Sequence, residues 1–329
     1  MYYNVKFSQT NDYIFEASLV NMRMYNLIGS EDYNRLLESD NIDNILSSLS
    51  DRGYNVSSRN IDFITEESKL LNDVIKFSKN KIFTEYYRIQ YDILNLKTIY
   101  KALLKNEPFE NLAFYNGGIL KNDDLKMIYS DEYKRVLHPD IEAGIKFFEK
   151  NIVDNTPFDV DVTWDKYLNL FFIKKARELN NDFIIKFHNI KADINNILSL
   201  FRLKSFNKDY KVFQKTLMPS ANDYSYILLK LYKEDLDIIV AKLSFLDIAP
   251  YIKKGYEEYR RRGSLTFLEN SLYDFLYNEY LGFASNRIFG PEIIFSYFWR
   301  KKREIEKVRL LLSAKINNVS KLFLEKLRD

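Results

Sequence analysis

Between Glu85 and Leu104, apolar residues recur at spacings of 3, 4, 3, 4 and 3, at Tyr86, Ile89, Ile93, Leu96, Tyr100 and Leu103. That period places one apolar stripe on one face of a helix. The pattern then returns twice. Moved by 101 residues it falls on Phe187, Ile190, Ile194, Ile197 and Phe201, and Lys204 breaks it only at the end. Moved by a further 111 it falls on Phe298, Lys301, Ile305, Val308, Leu312 and Lys315. An acid precedes the central isoleucine each time, as Asp92-Ile93, Asp193-Ile194 and Glu304-Ile305. Four residues before that acid stand Arg88, Asn189 and Arg300.

A second element repeats with its own offsets. Asp32, Leu36-Leu37-Glu38-Ser39-Asp40 and Ile45-Leu46 match Asp123, Met127-Ile128-Tyr129-Ser130-Asp131 and Val136-Leu137 at an offset of 91. Glu234-Asp235-Leu236 answers Asp123-Asp124-Leu125 at 111. Two elements that keep their order predict three tandem units, each with short helices first and a long striped helix last. The expected fold is therefore all-α, with units at residues 1–110, 111–210 and 211–329.

The rest of the chain agrees with a helical reading. Amphipathic segments run over Ser68–Lys79, Trp164–Leu179, Phe183–Phe206, Tyr224–Leu243, Leu265–Tyr280 and Pro291–Lys315, and no period-2 strand stands out. Asn106-Glu107-Pro108 should end the first striped helix, because the residue before proline avoids helical geometry. Lys97, Lys101 and Lys105 run along the stripe's edge and should reach water. Only 9 Gly and 6 Pro in 329 residues disfavour turn-rich sandwiches and barrels. With 46% hydrophobic and 29% charged residues the chain is neither disordered nor core-poor.

Composition also narrows the chemistry. Without Cys there are no disulfides, thiolate metal sites or cysteine nucleophiles, which fits a reducing compartment. His138 and His188 are the only histidines; His138 reads as a surface residue and His188 as packing, since it takes the place of Tyr87 and Trp299 in the repeat. No glycine is followed by Lys and no two are spaced i, i+2, so phosphate-loop and dinucleotide fingerprints are missing. Asp123-Asp124 reads as the start of a helix, where acids complement the dipole. No catalytic constellation, cofactor site or metal site is expected. The net charge of +3 from 49 basic and 46 acidic residues gives no case for nucleic-acid binding. The N-terminal residues lack a signal-peptide core, and the most apolar run, Ile293–Trp299, is far short of the roughly 20 residues a membrane span needs.

Three charged groups remain. The pairs Arg88/Asp92 and Arg300/Glu304 lie one helical turn apart. They suit ordinary i, i+4 ion pairs worth about 0.3–0.5 kcal/mol, or a polar ring lining a shared axis. Arg260-Arg261-Arg262 precedes Gly263 at an expected helix end, where cations are favoured. It is either solvated surface or a docking point for an acidic partner or anionic headgroups. Lys301-Lys302-Arg303 reads as a solvated helix face.

The C-terminal run Phe289-Gly290-Pro291-Glu292-Ile293-Ile294, Tyr297, Arg300 and Arg303-Glu304-Ile305-Glu306-Lys307-Val308-Arg309-Leu310-Leu311-Leu312-Ser313-Ala314-Lys315 resembles the signature end of the C subunit of V/A-type ATPases. The d subunit of eukaryotic vacuolar ATPases is a distant relative of that family. Tyr13 and Asn21-Met22-Arg23-Met24 resemble the family's first helix. Ala314 stands where many members have Gly, and Asn189 has replaced Arg in the middle unit.

The resemblance implies three helical units about a pseudo-threefold axis, forming a funnel that receives the central shaft. It implies a non-catalytic rotor subunit on the cytoplasmic face of the membrane. There it would pass torque between shaft and proteolipid ring for H⁺ or Na⁺ transport or ATP synthesis. The alternative is a generic helical-repeat scaffold binding other proteins, although solenoids are built from shorter repeats.

Overall fold

The computed structural model describes residues 5–8, 12–57, 60–132, 137–222, 224–285, 287 and 290–319. Val136 of the shorter repeat and Phe289 of the C-terminal signature lie outside them. The first part of the chain forms α1 (Ile14–Met24), α2 (Ser30–Glu38), α3 (Ile42–Asp51), a hairpin of β1 (Val56–Ser57) with β2 (Asn60–Ile61), α4 (Phe63–Phe77) and α5 (Lys81–Lys105). A single 3-10 turn at Phe109–Asn111 leads to α6 (Asn122–Tyr129), α7 (Pro139–Asn151), α8 (Pro157–Glu178) and α9 (Asp182–Ser205). There follow α10 (Tyr210–Thr216), α11 (Ser225–Leu231), α12 (Leu236–Lys242), α13 (Ala249–Arg262) and α14 (Thr266–Asp274). A π-helical segment (Phe275–Tyr280), α15 (Gly282–Ser285) and α16 (Glu292–Ile316) complete the order. The hairpin is the one sheet among the described residues, so the all-α expectation holds.

Polar caps set where the helices begin. Asn80 accepts from the Ile82 amide at 2.8 Å and Asn181 from the Ile184 amide at 3.0 Å, so α5 and α9 open on the same residue type at the repeat offset. Asn106, at φ 53°, closes α5 in the left-handed region, one residue earlier than the proline rule requires. The expected helix over Tyr224–Leu243 is broken between α11 and α12, and Leu265–Tyr280 changes to π-helical winding at Phe275. Gly255 lets α13 lie against α14: a Cβ there would sit 2.6 Å from the Leu268 Cα.

The long helices close a cycle of neighbours. α5 packs on α4 and α8, α8 on α9, α9 on α14 and the π-helical segment, that segment on α16, and α16 back on α4. The stripes face inward. Tyr86, Ile89, Ile93 and Leu96 are buried, as are Phe187, Ile190, Ile194, Ile197 and Phe201, and Phe298, Ile305, Val308 and Leu312. Each fully buried aliphatic or aromatic side chain contributes about 1.5–3 kcal/mol relative to exposure. Leu103, at the end of the first stripe, lies outside the packed face and is exposed.

Candidate functional site

Repeat-equivalent aromatics from α5, α9 and α16 meet at one place. Tyr86 and Tyr87 correspond to Phe187 and His188 and to Phe298 and Trp299. Tyr87 lies against Phe298 with centroids 4.6 Å apart, Phe187 against Trp299 at 5.3 Å, and His188 stacks on Phe172 at 4.6 Å. Rings in tilted and edge contact add about 0.5–1.5 kcal/mol per pair beyond their burial. Three helices distant in sequence are thereby locked at one level.

Six residues beyond this level, the repeated acids bind loops rather than neighbouring arginines. Asp92 accepts from the Ile119 and Leu120 amides at 2.8 and 3.0 Å, on the loop leading into α6. Gly118 is required there, because a Cβ would fall 2.1 Å from Asp92 Oδ1. Asp193 accepts from Asn222 Nδ2 at 2.7 Å, on the loop leading into α11. Glu304 accepts from the Ile28 amide at 2.6 Å, on the loop leading into α2, and from Tyr54 Oη at 2.7 Å. Burial pushes the Asp92 carboxyl up to about 6, against the lowering effect of its two amide donors and Arg88, and it raises Asp193 as well. The loop gripped by Asp193 precedes α11, whereas the sequence match points to α12.

Arg88 and Arg300 stand apart from these acids. Neither Arg88–Asp92 nor Arg300–Glu304 closes to an ion pair among the described residues. Arg88 Nε is buried without a hydrogen-bond partner. Arg300 donates to Ser285 Oγ at 3.1 Å and to Met24 Sδ at 3.5 Å. Asn189 accepts from the Ala221 amide at 2.8 Å, on the loop that Asp193 also holds.

A further pair does not stand out from the stripes and acids alone. Asn95 donates to the Tyr115 carbonyl at 3.0 Å and accepts from its amide at 2.8 Å. Asn196, 101 residues on, does the same to Met218 at 2.9 and 2.6 Å. The signal is present as Asp-x-x-Asn at the same offset in both striped helices. In α16 the corresponding residue is Lys307.

Lys301, Lys302 and Arg303 are not a solvated face. Lys301 pairs with Glu304 at 2.5 Å, Lys302 donates to Gln90 and lies 5.7 Å from the Trp299 ring centroid, and Arg303 covers Tyr273 at 5.1 Å. The stripe of α16 is narrow and the aromatic faces beside it accept cations, so these residues turn inward. Lys191 of α9 joins them, 4.0 Å above the Trp299 ring. Burial and then the charge of Lys302 push its ammonium down to about 8. Lys97 likewise fails to reach water: it is 13% exposed and pairs with Asp165 at 2.6 Å.

Arg260, Arg261 and Arg262 end α13, which Gly263 closes at φ 73°. All three are well exposed, and acids accompany them: Arg260 lies 3.2 Å from Asp237, while Arg261 and Arg262 share Glu258 at 2.7 and 3.0 Å. Glu85, His138 and Asp140 converge closely enough for a metal ion. Lys175 already fills that space, 3.0 Å from Glu85 and 2.8 Å from Asp140, so the donor set does not suit a cation. His138 is partly buried and caps α7 by accepting from the Asp140 amide at 3.4 Å.

A profile of the ATP synthase (C/AC39) subunit matches residues 17–327. The chain belongs to that family. The A-type ATP synthase C subunit of Thermococcus onnurineus is 22% identical over 321 residues, which is 87% of this chain and 81% of the relative. The Thermococcus kodakarensis protein of the same name is 20% identical over 313 residues, 87% and 82% of the two chains. That of Thermococcus gammatolerans is 22% identical over 332 residues, 91% and 85%. No described helix is long and apolar enough to cross a membrane.

Proposed function

We propose that the chain is the non-catalytic rotor subunit of a V/A-type rotary ATPase, joining the central-shaft subunits to the membrane proteolipid ring. Family membership along almost the whole chain carries this reading. The cyclic packing of the long helices supports it, because a torque coupler needs a body that does not shear when its two faces are loaded. The aromatic lock at Tyr86, His188 and Trp299 supplies such stiffness. On this reading the three units, residues 1–110, 111–210 and 211–329, surround a pseudo-threefold axis and form a funnel for the shaft. The protein sits peripherally on the cytoplasmic face and needs no cofactor of its own. It passes torque for ATP-driven H⁺ or Na⁺ transport, or for ATP synthesis in the opposite direction.

Purification of the native complex from membranes tests the assignment. Co-migration with ATPase subunits supports it, and a free protein or a different complex overturns it. Deletion tests the mechanism: the soluble head should still hydrolyse ATP while ion pumping stops, since torque cannot cross a missing connection. Membranes that pump normally without this chain would remove the coupling role.

A further inference from the structure

The Gly290-Pro291-Glu292 start of α16 takes no part in the stripes or in the helix–loop joints, yet its acid is fully buried. Glu292 Oε1 accepts twice, from the Ser8 amide at 2.7 Å and from Asn181 Nδ2 at 2.8 Å. One oxygen therefore ties a segment 284 residues earlier in the chain to the cap of α9 and the first turn of α16. Gly290 is shaped around this carboxylate: its φ is 89°, and a Cβ there would fall 2.3 Å from Glu292 Oε2.

Phe7 makes the second anchor. Its ring lies 5.2 Å from Phe183 at the start of α9 and 5.4 Å from Phe283 in α15, and Arg287 covers it at 4.5 Å. Residues 5–8 thus bridge α9, α15 and α16 without forming a helix or strand of their own. Val5, Phe7 and Ser8 are only partly buried, and Lys6 is exposed. If the segment lets go, Asn181 still holds Glu292, and α16 still packs on α1, α4 and α9. A short segment with few buried apolar contacts and no ladder to maintain opens locally, below the cost of global unfolding. Ser8 also walls a cavity of about 600 Å³ at the starts of α5, α9 and α16, together with Tyr13, Asn80, Asn181 and Pro291.

We propose that residues 5–8 form a strap over the starts of α9 and α16, with Glu292 as its keeper, and that the strap opens as a unit while the helices stay folded, uncovering that cavity. The Gly-Pro-Glu sequence is then the fixed half of a two-state closure. The strap is independent of the rotor assignment.

Hydrogen exchange of the full-length protein, read at the Ser8 amide and corrected for intrinsic rate, tests the strap. In the wild type this amide should exchange more slowly than in an unstructured peptide, and faster than the Ile194 and Ile305 amides inside α9 and α16. Phe7→Ala should speed Ser8 about tenfold, as losing a partly buried ring implies, and leave Ile194 and Ile305 unchanged. Gly290→Ala, which displaces the carboxylate without touching the strap, should speed Ser8 as well. Lys6→Ala should leave it unchanged. The strap is overturned if wild-type Ser8 exchanges at the unstructured rate, if it exchanges no faster than Ile194 and Ile305, or if its rate is the same in Phe7→Ala with the helix core still protected.

Discussion

Tyr86 Oη lies 2.6 Å from His188 Nε2, a buried hydrogen bond between residues 102 apart, and the same oxygen accepts from Trp299 Nε1 at 3.1 Å. One phenol therefore ties α5, α9 and α16 together. Burial, followed by repulsion from Lys191, pushes the His188 imidazole well below its ordinary value. The ring is neutral, and since Trp299 Nε1 already donates to the Tyr86 oxygen, the Nδ1–H tautomer, in which Nε2 accepts and the Tyr86 hydroxyl donates, is the one that gives that hydroxyl proton an acceptor. The aromatic ring contacts around it set the level at which the three helices meet, and the polar triad fixes their register.

His188→Phe should keep the stacking and leave the Tyr86 hydroxyl without its acceptor. The expected loss is about 1–3 kcal/mol at pH 7.5, read by urea unfolding. In the wild type the folded imidazole titrates below the unfolded one, so the unfolded state binds the extra proton below about pH 6.5. Wild-type stability therefore falls on acidification through that window while the variant lacks this contribution. The gap between them should narrow from pH 7.5 to 5; a constant gap would mean that His188 is not the titrating group.

Asn95→Ala and Asn196→Ala each strip two backbone groups of their partner. Each should cost about 1–3 kcal/mol, because the loop amide and carbonyl lose a bond that the closed joint does not readily return to water. The two joints share no hydrogen-bond partner, so the double variant should show a nearly additive loss. Loss of only a few tenths of a kcal/mol in either single variant would show that water replaces the amide, and that the joint is not held by it.

Much of the fold is legible in the sequence because helix burial has a period. The stripes at Tyr86, Phe187 and Phe298 mark the three inward faces, and Asn80 and Asn181 mark two helix starts at the same offset. The loops that Asp92, Asp193 and Glu304 hold have no period, so their partners are not visible in the sequence; an acid one turn from an arginine looks like an ion pair. The cations of α16 mislead for a related reason. Lys301, Lys302 and Arg303 interrupt an apolar pattern, and only the surrounding Tyr54, Trp299 and Tyr273 rings make an inward position acceptable. Asn95 and Asn196 are findable from sequence, since they repeat with the acids.

Lys191 should titrate within reach of ordinary buffers. Its folded pKa of about 8 lies below the unfolded value of about 10.4, so the charged form costs stability below pH 8 and the cost disappears as pH rises toward 10. Lys191→Met should be more stable than wild type at pH 7 by about 1–3 kcal/mol, with the difference shrinking by pH 10. Trp299 lies 4.0 Å from this ammonium and reports on it. The fluorescence of a Trp164→Phe background should show a transition near pH 8 that Lys191→Met abolishes. A flat profile in that background would place the Lys191 pKa near its ordinary value.

The exposed arginines of α13 bear on assembly. Three cations meet two acids, Asp237 and Glu258, which leaves a local positive excess at the end of a helix. A solvent-exposed excess of this kind acts over about 10 Å at 0.1 M salt, which suits steering of an acidic partner more than tight holding. If Arg260, Arg261 and Arg262 face the shaft, changing all three to Glu should slow association about tenfold or more at low salt and change dissociation much less. Added salt should then close the difference between variant and wild type. The substitution also places three acids beside Glu258 at a helix C-terminus, which is itself unfavourable. A matched set with all three changed to Gln separates the effects: it removes the steering charge without adding repulsion, and should slow association by an intermediate amount. Association rates that are the same for all three proteins at low salt would return these arginines to the solvated end of α13.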